Sequence, residues 1–151
     1  MYYNKEVDIM EYNYSYYWLQ HLKGLIVREC ASSYRNLSTF PEEYVIVDSD
    51  LIPQSFSCSF GEINKVASLN LSRCEKVKEG LYITDDERTI IDMIEWQSEG
   101  KLIEQCLENY LLNHNGEINE LLNYSKERNL YNELIEWLEI VEEEYGLGYK
   151  R

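Results

Sequence analysis

The sequence predicts an α+β protein with an N-terminal helix, a small antiparallel β-sheet and a C-terminal bundle of about four helices. Three observations predict this class. Short β-rich runs occur between residues 44 and 83, amphipathic segments follow residue 84, and the 151 residues include only 7 Gly and 2 Pro. The length fits one compact domain. Within it we separate residues 1–83, the N-terminal helix plus the sheet, from residues 84–151, an acidic helical bundle.

The chain begins with a tyrosine-rich stretch that leads into a predicted helix. Tyr12, Tyr14 and Tyr16 offer rigid contact area with a polar tip, so they are candidate partner-binding residues. The alternative is that this stretch is buried as part of the core. From residue 15 to about 36 the spacing is helical, with an interruption near Gly24. The apolar residues that share one face of this helix are Leu19, Leu22, Ile26 and Cys30.

The sheet is predicted from three runs in the middle of the chain. Residues 44–47 are β-rich, and Asp48 and Asp50 after them are interpreted as polar turn residues rather than metal ligands. Residues 55–60, SFSCSF, alternate strictly, which predicts a half-buried strand. Residues 74–83, CEKVKEGLYI, predict one or two further strands that turn at Glu79-Gly80.

Four helices are predicted after Thr84, at about 85–97, 102–112, 118–125 and 130–145, with breaks near Gly100, at HNGE (114–117) and at Asn129. The last helix has the clearest amphipathic spacing. Its apolar stripe comprises Leu130, Leu134, Trp137, Leu138, Val141 and Tyr145. Its opposite side carries Glu136, Glu139 and Glu143, flanked by Glu133 and Glu142. Helices joined by such short turns are expected to pack antiparallel.

The first of these helices begins at TDDERTIIDMIEW, residues 84–96. Its acids could form a catalytic carboxylate cluster, but each also has a structural explanation. Thr84 and Glu87 have the spacing of a capping box. The positive end of the helix dipole stabilises the acids of the first turn. Arg88 and Asp92 are four residues apart and can form an ion pair. We therefore assign structural roles to Thr84, Glu87, Arg88 and Asp92.

No sequence motif indicates catalysis, a cofactor or a metal site. Phosphate-binding loops, dinucleotide fingerprints, zinc-protease motifs and nucleophile elbows are all absent. The four cysteines form no CxxC pair, and a Cys30–His114 or Cys106–His21 dyad is only formally possible. No secretory signal and no membrane-spanning run is present. We expect a cytoplasmic protein that is not an enzyme, needs no cofactor and makes no membrane contact.

The net charge of −14 lies mainly in the second half of the chain. Residues 84–151 carry 17 acidic and 6 basic residues, whereas residues 1–83 carry 11 acidic and 8 basic ones. A surface this negative repels nucleic-acid phosphates and attracts a basic or nucleic-acid-handling protein. The other interpretation is that the acidity only keeps the protein soluble.

The order of these segments, and the stretch ITDDERTIIDMIEW in particular, resembles the AbiEi-type antitoxin family of type IV toxin–antitoxin systems. In that family a Glu-Arg-Thr followed by apolar residues and an Asp opens the C-terminal helical part. The matching positions here are Glu87, Arg88, Thr89 and Asp92. The resemblance covers about residues 25–140, including ASSYRNLSTFPEEYVIV and the helical segment from Gly100 onward.

This resemblance implies an antitoxin domain that neutralises a nucleotidyltransferase-type toxin without catalysis. The N-terminal winged helix-turn-helix with which family members bind their promoter has no counterpart in this sequence. Our alternative hypothesis is an acidic inhibitor from a phage or mobile element, such as an anti-CRISPR or anti-restriction protein, that occupies a nucleic-acid-binding channel by charge mimicry. In both hypotheses the glutamates of the last helix are candidate partner-binding residues.

Overall fold

The computed structural model of the chain describes residues 23–150, which form a mixed α/β structure with one six-stranded sheet and five helices. The strands are β1 (Gly24–Ile26), β2 (Val45–Ser49), β3 (Phe56–Cys58), β4 (Gly61–Lys65), β5 (Cys74–Lys78) and β6 (Leu81–Thr84). The helices are α1 (Arg28–Tyr34), α2 (Asp86–Trp96), α3 (Gly100–Asn113), α4 (Asn119–Glu127) and α5 (Tyr131–Tyr145). The predicted combination of strands followed by helices is confirmed at this level.

The sheet is mixed rather than antiparallel, so that part of the prediction is wrong. Its strand order is β3-β4-β2-β1-β6-β5, with β1 parallel to β6 and β2 parallel to β4. The other neighbouring pairs are antiparallel. Strands β1 and β4 were not predicted. Each of the two parallel pairings includes one of these strands, β1 with β6 and β4 with β2.

Strand β1 replaces the middle of the predicted N-terminal helix. Gly24–Ile26 is buried at all three residues and lies near the centre of the sheet. A short apolar run does not distinguish a buried strand from a helix, which explains the error. At Gly24, φ is +156° and a Cβ atom would lie 2.3 Å from the carbonyl oxygen of Asp48, so the close pairing with β2 requires glycine. Helical structure begins only at Arg28, and the part of the predicted helix before residue 23 lies outside the described residues.

Two further predictions about the sheet are corrected. SFSCSF was expected to be half-buried, but β3 is an edge strand that is exposed at all three residues. The alternation of SFSCSF indicated a strand correctly, but it does not show whether another element covers the apolar face of that strand. Asp48 was expected in a turn and instead lies within β2, which continues to Ser49. The turn predicted at Glu79-Gly80 is confirmed between β5 and β6.

The buried apolar side chains form two clusters, one in the sheet and one among the helices. The sheet cluster includes Leu25, Val47 and Ile63, whereas the helical cluster includes Ile91 and Leu107. Met93 in α2 is completely buried in the helical cluster, while Trp96 at the end of α2 is 62% exposed. The proposed division between residues 83 and 84 falls one residue before the end of β6, and it stays a prediction.

Candidate functional site

Helix α5 presents an acidic face, which we define as Glu133, Glu136, Glu139, Glu142 and Glu143. All five side chains are exposed, whereas Leu134, Leu138 and Val141 on the same helix are buried. Within residues 23–150 none of the five forms an ion pair. The sixth glutamate of the helix, Glu144, lies 3.5 Å from the amine of Lys101. The structure therefore places the five predicted glutamates on the exposed side of α5, and their binding of a partner stays a prediction.

The acids at the start of α2 differ, because arginines and a tyrosine already bind them. Asp92 accepts a hydrogen bond from Arg88 at 3.3 Å and forms an ion pair with Arg128 at 2.8 Å. Glu87 accepts from Arg73 at 2.9 Å and from the hydroxyl of Tyr110 at 2.6 Å. These contacts lie inside the molecule, so their carboxylates are engaged in holding the helix in place.

The predicted capping box at Thr84 and Glu87 is wrong. Thr84 is the last residue of β6, and the N-cap of α2 is Asp85, whose side chain accepts from the backbone N–H of Arg88 at 2.8 Å. The hydroxyl of Thr84 instead shares a 2.6 Å hydrogen bond with that of Thr89. The capping position moved by one residue because the strand continues through Thr84 in register with Cys74.

Arg88 forms the predicted pair with Asp92, but it lies inside the molecule, only 8% exposed. Its guanidinium also donates to the backbone carbonyls of Asn70 and Ser72, in the loop between β4 and β5. Arg88 thus joins the first helix of the helical half to the sheet. No local sequence pattern shows these carbonyl acceptors, which lie 16 and 18 residues away along the chain.

A cavity of about 370 Å³ lies beside the Glu87–Tyr110 hydrogen bond and is also lined by His114, whose ring stacks on that of Tyr110 at 3.9 Å. Burial opposes ionisation of Glu87, but the hydrogen bonds from Tyr110 and Arg73 outweigh it and lower its pKa. Burial and the same carboxylate raise the pKa of Tyr110 strongly. Tyr110 is therefore a hydrogen-bond donor at neutral pH, and the pair serves to anchor α2 against α3.

The buried cysteines are poor nucleophiles in this structure. Burial raises the pKa of Cys30 to about 11 and that of Cys106 to about 12. Both thiols are therefore protonated at neutral pH. Residues 23–150 contain no group of three or more His, Cys, Asp or Glu side chains arranged to hold a metal ion.

Sequence reasoning missed a cleft between the sheet and the end of α2, which we call the Trp96 cleft. Its volume is about 460 Å³, and its lining includes Arg28, Asp48, Asn64, Asp92, Glu95 and Trp96. The guanidinium of Arg28 lies 4.0 Å from the centre of the Trp96 ring, and Arg28 has a φ of +49°. Such a conformation is uncommon for a residue with a side chain. A Trp near the end of a predicted helix was the only signal in the sequence.

Tyr12, Tyr14 and Tyr16 lie outside the described residues, so their assignment as partner-binding residues stays a prediction. Among the helices of residues 23–150, none is both long and apolar enough to cross a membrane.

The chain was also compared with known proteins. Neither a protein-family model nor a curated protein matches it.

Proposed function

We propose that this protein is a non-catalytic inhibitor, similar to an antitoxin, that neutralises a nucleotidyltransferase-type toxin by binding it through the acidic face of α5. The observation that carries the proposal is the contrast between α5 and α2. The acids of α2 are bound by internal partners, whereas five glutamates of α5 are exposed and form no ion pair within residues 23–150. The resemblance in residues 83–96 supports the partner class.

A basic partner gains from this arrangement in two ways. Its lysines and arginines can bind the α5 glutamates without first breaking an ion pair among residues 23–150. In addition, α5 is anchored by Leu134, Leu138 and Val141, so the spacing of the carboxylates is set before binding. Residues three and four apart on a helix are neighbours, which makes the face a continuous negative strip. Such a strip speeds association and selects for partners of opposite charge.

The same observation favours the second candidate, an acidic inhibitor that occupies the nucleic-acid channel of a nuclease or CRISPR effector. Residues three or four apart on a helix have Cβ atoms about 5–6 Å apart, a separation of the same order as the spacing of phosphate charges along a nucleic-acid strand. The two candidates differ in what displaces the protein. Competing DNA displaces a channel mimic, whereas it leaves a toxin bound elsewhere unaffected.

The experiment that tests the proposal is a toxicity-rescue assay combined with charge reversal. Candidate nucleotidyltransferase toxins are co-expressed with the protein and with its variant Glu136→Lys/Glu139→Lys/Glu143→Lys. Rescue by the unmodified protein and loss of rescue in the variant is the expected result. Unchanged toxicity of every candidate toxin in the presence of the unmodified protein would exclude the antitoxin function.

A matched control changes the net charge equally at sites away from α5. Glu42, Glu43 and Asp50 are exposed, and reversing all three to Lys gives the same total charge as the α5 variant. This control is expected to retain rescue. If it loses rescue to the same extent, net charge rather than the face of α5 is responsible.

A further inference from the structure

The Trp96 cleft has the chemistry of a binding site for a planar cation. Its lining includes three carboxylates, an exposed indole and an Asn amide. The two cations at its edge already have partners. Arg28 donates to Glu62 at 2.7 Å, and the amine of Lys65 donates to the carbonyl of Ile52 at 3.0 Å. The Arg28–Glu62 ion pair offsets the positive charge of Arg28, and the carboxylate of Asp48 remains as a hydrogen-bond acceptor for a cationic ligand.

Asp48 is the carboxylate whose hydrogen bonds are least complete. Its one hydrogen bond within residues 23–150 comes from the Asn64 amide at 3.4 Å, which is long for an N–H···O contact. Burial raises the pKa of Asp48, and the Asn64 hydrogen bond and the nearby charge of Arg28 only partly oppose this effect. A cation in the cleft would compensate for the lost hydration of this carboxylate. Asp92 and Glu95, in contrast, are both bound to Arg128.

Trp96 adds a preference for a flat group. The indole is 62% exposed, and its ring already stacks with one guanidinium, that of Arg28. Arginine is favoured over lysine at such a site, because its planar guanidinium stacks on aromatic rings and matches a carboxylate with two parallel hydrogen bonds. The cavity volume lies within the range of small-ligand sites.

We propose that the Trp96 cleft binds an arginine side chain of a protein partner, with the guanidinium against Asp48 and along Trp96. This site goes beyond the function proposed above and does not depend on the acidic face of α5. It predicts that recognition of a basic partner includes one specific arginine in addition to a diffuse electrostatic contact.

The test is a titration of the full chain with N-acetyl-arginine amide, followed through the indole N–H signal of Trp96 in ¹H–¹⁵N correlation spectra. That signal is assigned by its loss in Trp96→Phe. We expect a saturable shift with the arginine probe, a weaker response to N-acetyl-lysine amide, and none to N-acetyl-citrulline amide, which is planar but uncharged. An equal response to the citrulline and arginine probes would overturn the proposal. Tighter binding of free L-arginine than of the amide would identify a free amino acid as the ligand and overturn a protein partner.

Asp48→Asn is expected to weaken binding of the arginine probe about tenfold, because it removes one charged hydrogen-bond acceptor. Asp50→Asn removes the same charge from an exposed residue outside the cleft, and it is expected to leave binding unchanged. If both substitutions weaken binding of the arginine probe equally, net charge explains the effect and the proposed site is overturned. If Asp48→Asn does not fold, Trp96→Ala, followed through the Asn64 amide signal, provides the second test, and unchanged binding there would also overturn the site.

The α5 charge-reversal variant separates this inference from the proposed function. The variant is expected to lose toxin rescue and to keep its binding of N-acetyl-arginine amide. If it also loses arginine binding, the cleft is not an independent site.

Discussion

Arg88 and Asp92 have the spacing of an exposed ion pair on a helix, although Arg88 is buried. The i,i+4 spacing with Asp92 is typical of an exposed helix pair, and the pair is present. However, the same guanidinium also reaches two backbone carbonyls of the β4–β5 loop. A buried arginine with this set of acceptors matters more for stability than an exposed ion pair, because its loss leaves buried oxygens without a donor.

Replacing Arg88 by Met tests this role. We expect the free energy of unfolding to fall by roughly 3 kcal/mol, the lower end of the range for breaking a buried ion pair. The loss is at the lower end because Asp92 keeps its contact with Arg128. Urea unfolding followed by circular dichroism measures it. Lys101→Met, which removes an exposed cation, serves as the control and is expected to leave the midpoint almost unchanged. Equal midpoints for the two variants would contradict the structural role of Arg88.

The Glu87–Tyr110 contact predicts a pH-dependent effect on stability. The pKa of Glu87 lies below its ordinary value of 4.5 in the folded protein, so its ionised form stabilises the fold above that pH. This contribution is lost as the pH falls through the folded-state pKa. Tyr110→Phe should therefore cost about 2 kcal/mol near neutral pH and clearly less near pH 3.

Thermal unfolding of Tyr110→Phe at the two pH values measures this difference. Tyr131→Phe, at a half-buried tyrosine, provides the control for removal of a hydroxyl. A destabilisation by Tyr110→Phe that is the same at both pH values would show that the charge of Glu87 does not contribute.

Helix α5 has a buried apolar face and an exposed acidic face. Its buried side packs into the helical cluster through Leu134, Leu138 and Val141, and its outer side carries the acidic face. The glutamates repel each other, because a helix places them at neighbouring positions without intervening cations. Within the described part of the chain these charges form no stabilising ion pair, which is consistent with a role in binding.

Charge reversal on α5 is consequently expected to spare stability. Glu136→Lys/Glu139→Lys/Glu143→Lys should leave the unfolding midpoint unchanged or raise it, because opposite charges then alternate along the helix. Leu138→Ala on the buried side of the same helix should cost about 2–5 kcal/mol. Thermal unfolding of both variants separates the two faces, and a large loss of stability in the reversal variant would show that the acidic face is structural.

On the scale of the whole molecule, the sheet and the helices depend on each other through polar contacts. Arg35 in the segment after α1 donates to the carbonyl of Thr84, Arg73 binds Glu87, and Asn109 donates to the carbonyl of Leu37. Leu37 itself, although it precedes the sheet's second strand, is buried in the helical cluster. Polar contacts thus connect the sheet cluster and the helical cluster at their boundary.

Residues 84–151 expressed alone are therefore expected to unfold at lower temperature and less cooperatively than the full chain. The fragment lacks Leu37, the carbonyl acceptors of Arg88 and the arginine that binds Glu87. Calorimetry of the fragment and of the full chain measures the difference. A fragment with the same midpoint and a sharp transition would establish 84–151 as an independent domain.

Local pattern was sufficient to predict the four C-terminal helices, the β5–β6 turn and the exposed acidic face, because helix periodicity and turn chemistry are encoded within a few residues. Only the tertiary structure decided that Gly24–Ile26 is a near-central strand, that Asp85 caps α2 and that Arg88 is buried. Each of these depends on partners distant in sequence: the pairing of β1 with β2 and β6, the continuation of β6 through Thr84, and the carbonyls of the β4–β5 loop. The Trp96 cleft has the same origin, since it brings α2 against residues from the ends of three strands. A residue's neighbours along the chain set its conformational preferences, but contacts across the fold decide which of its surfaces remain open to a partner.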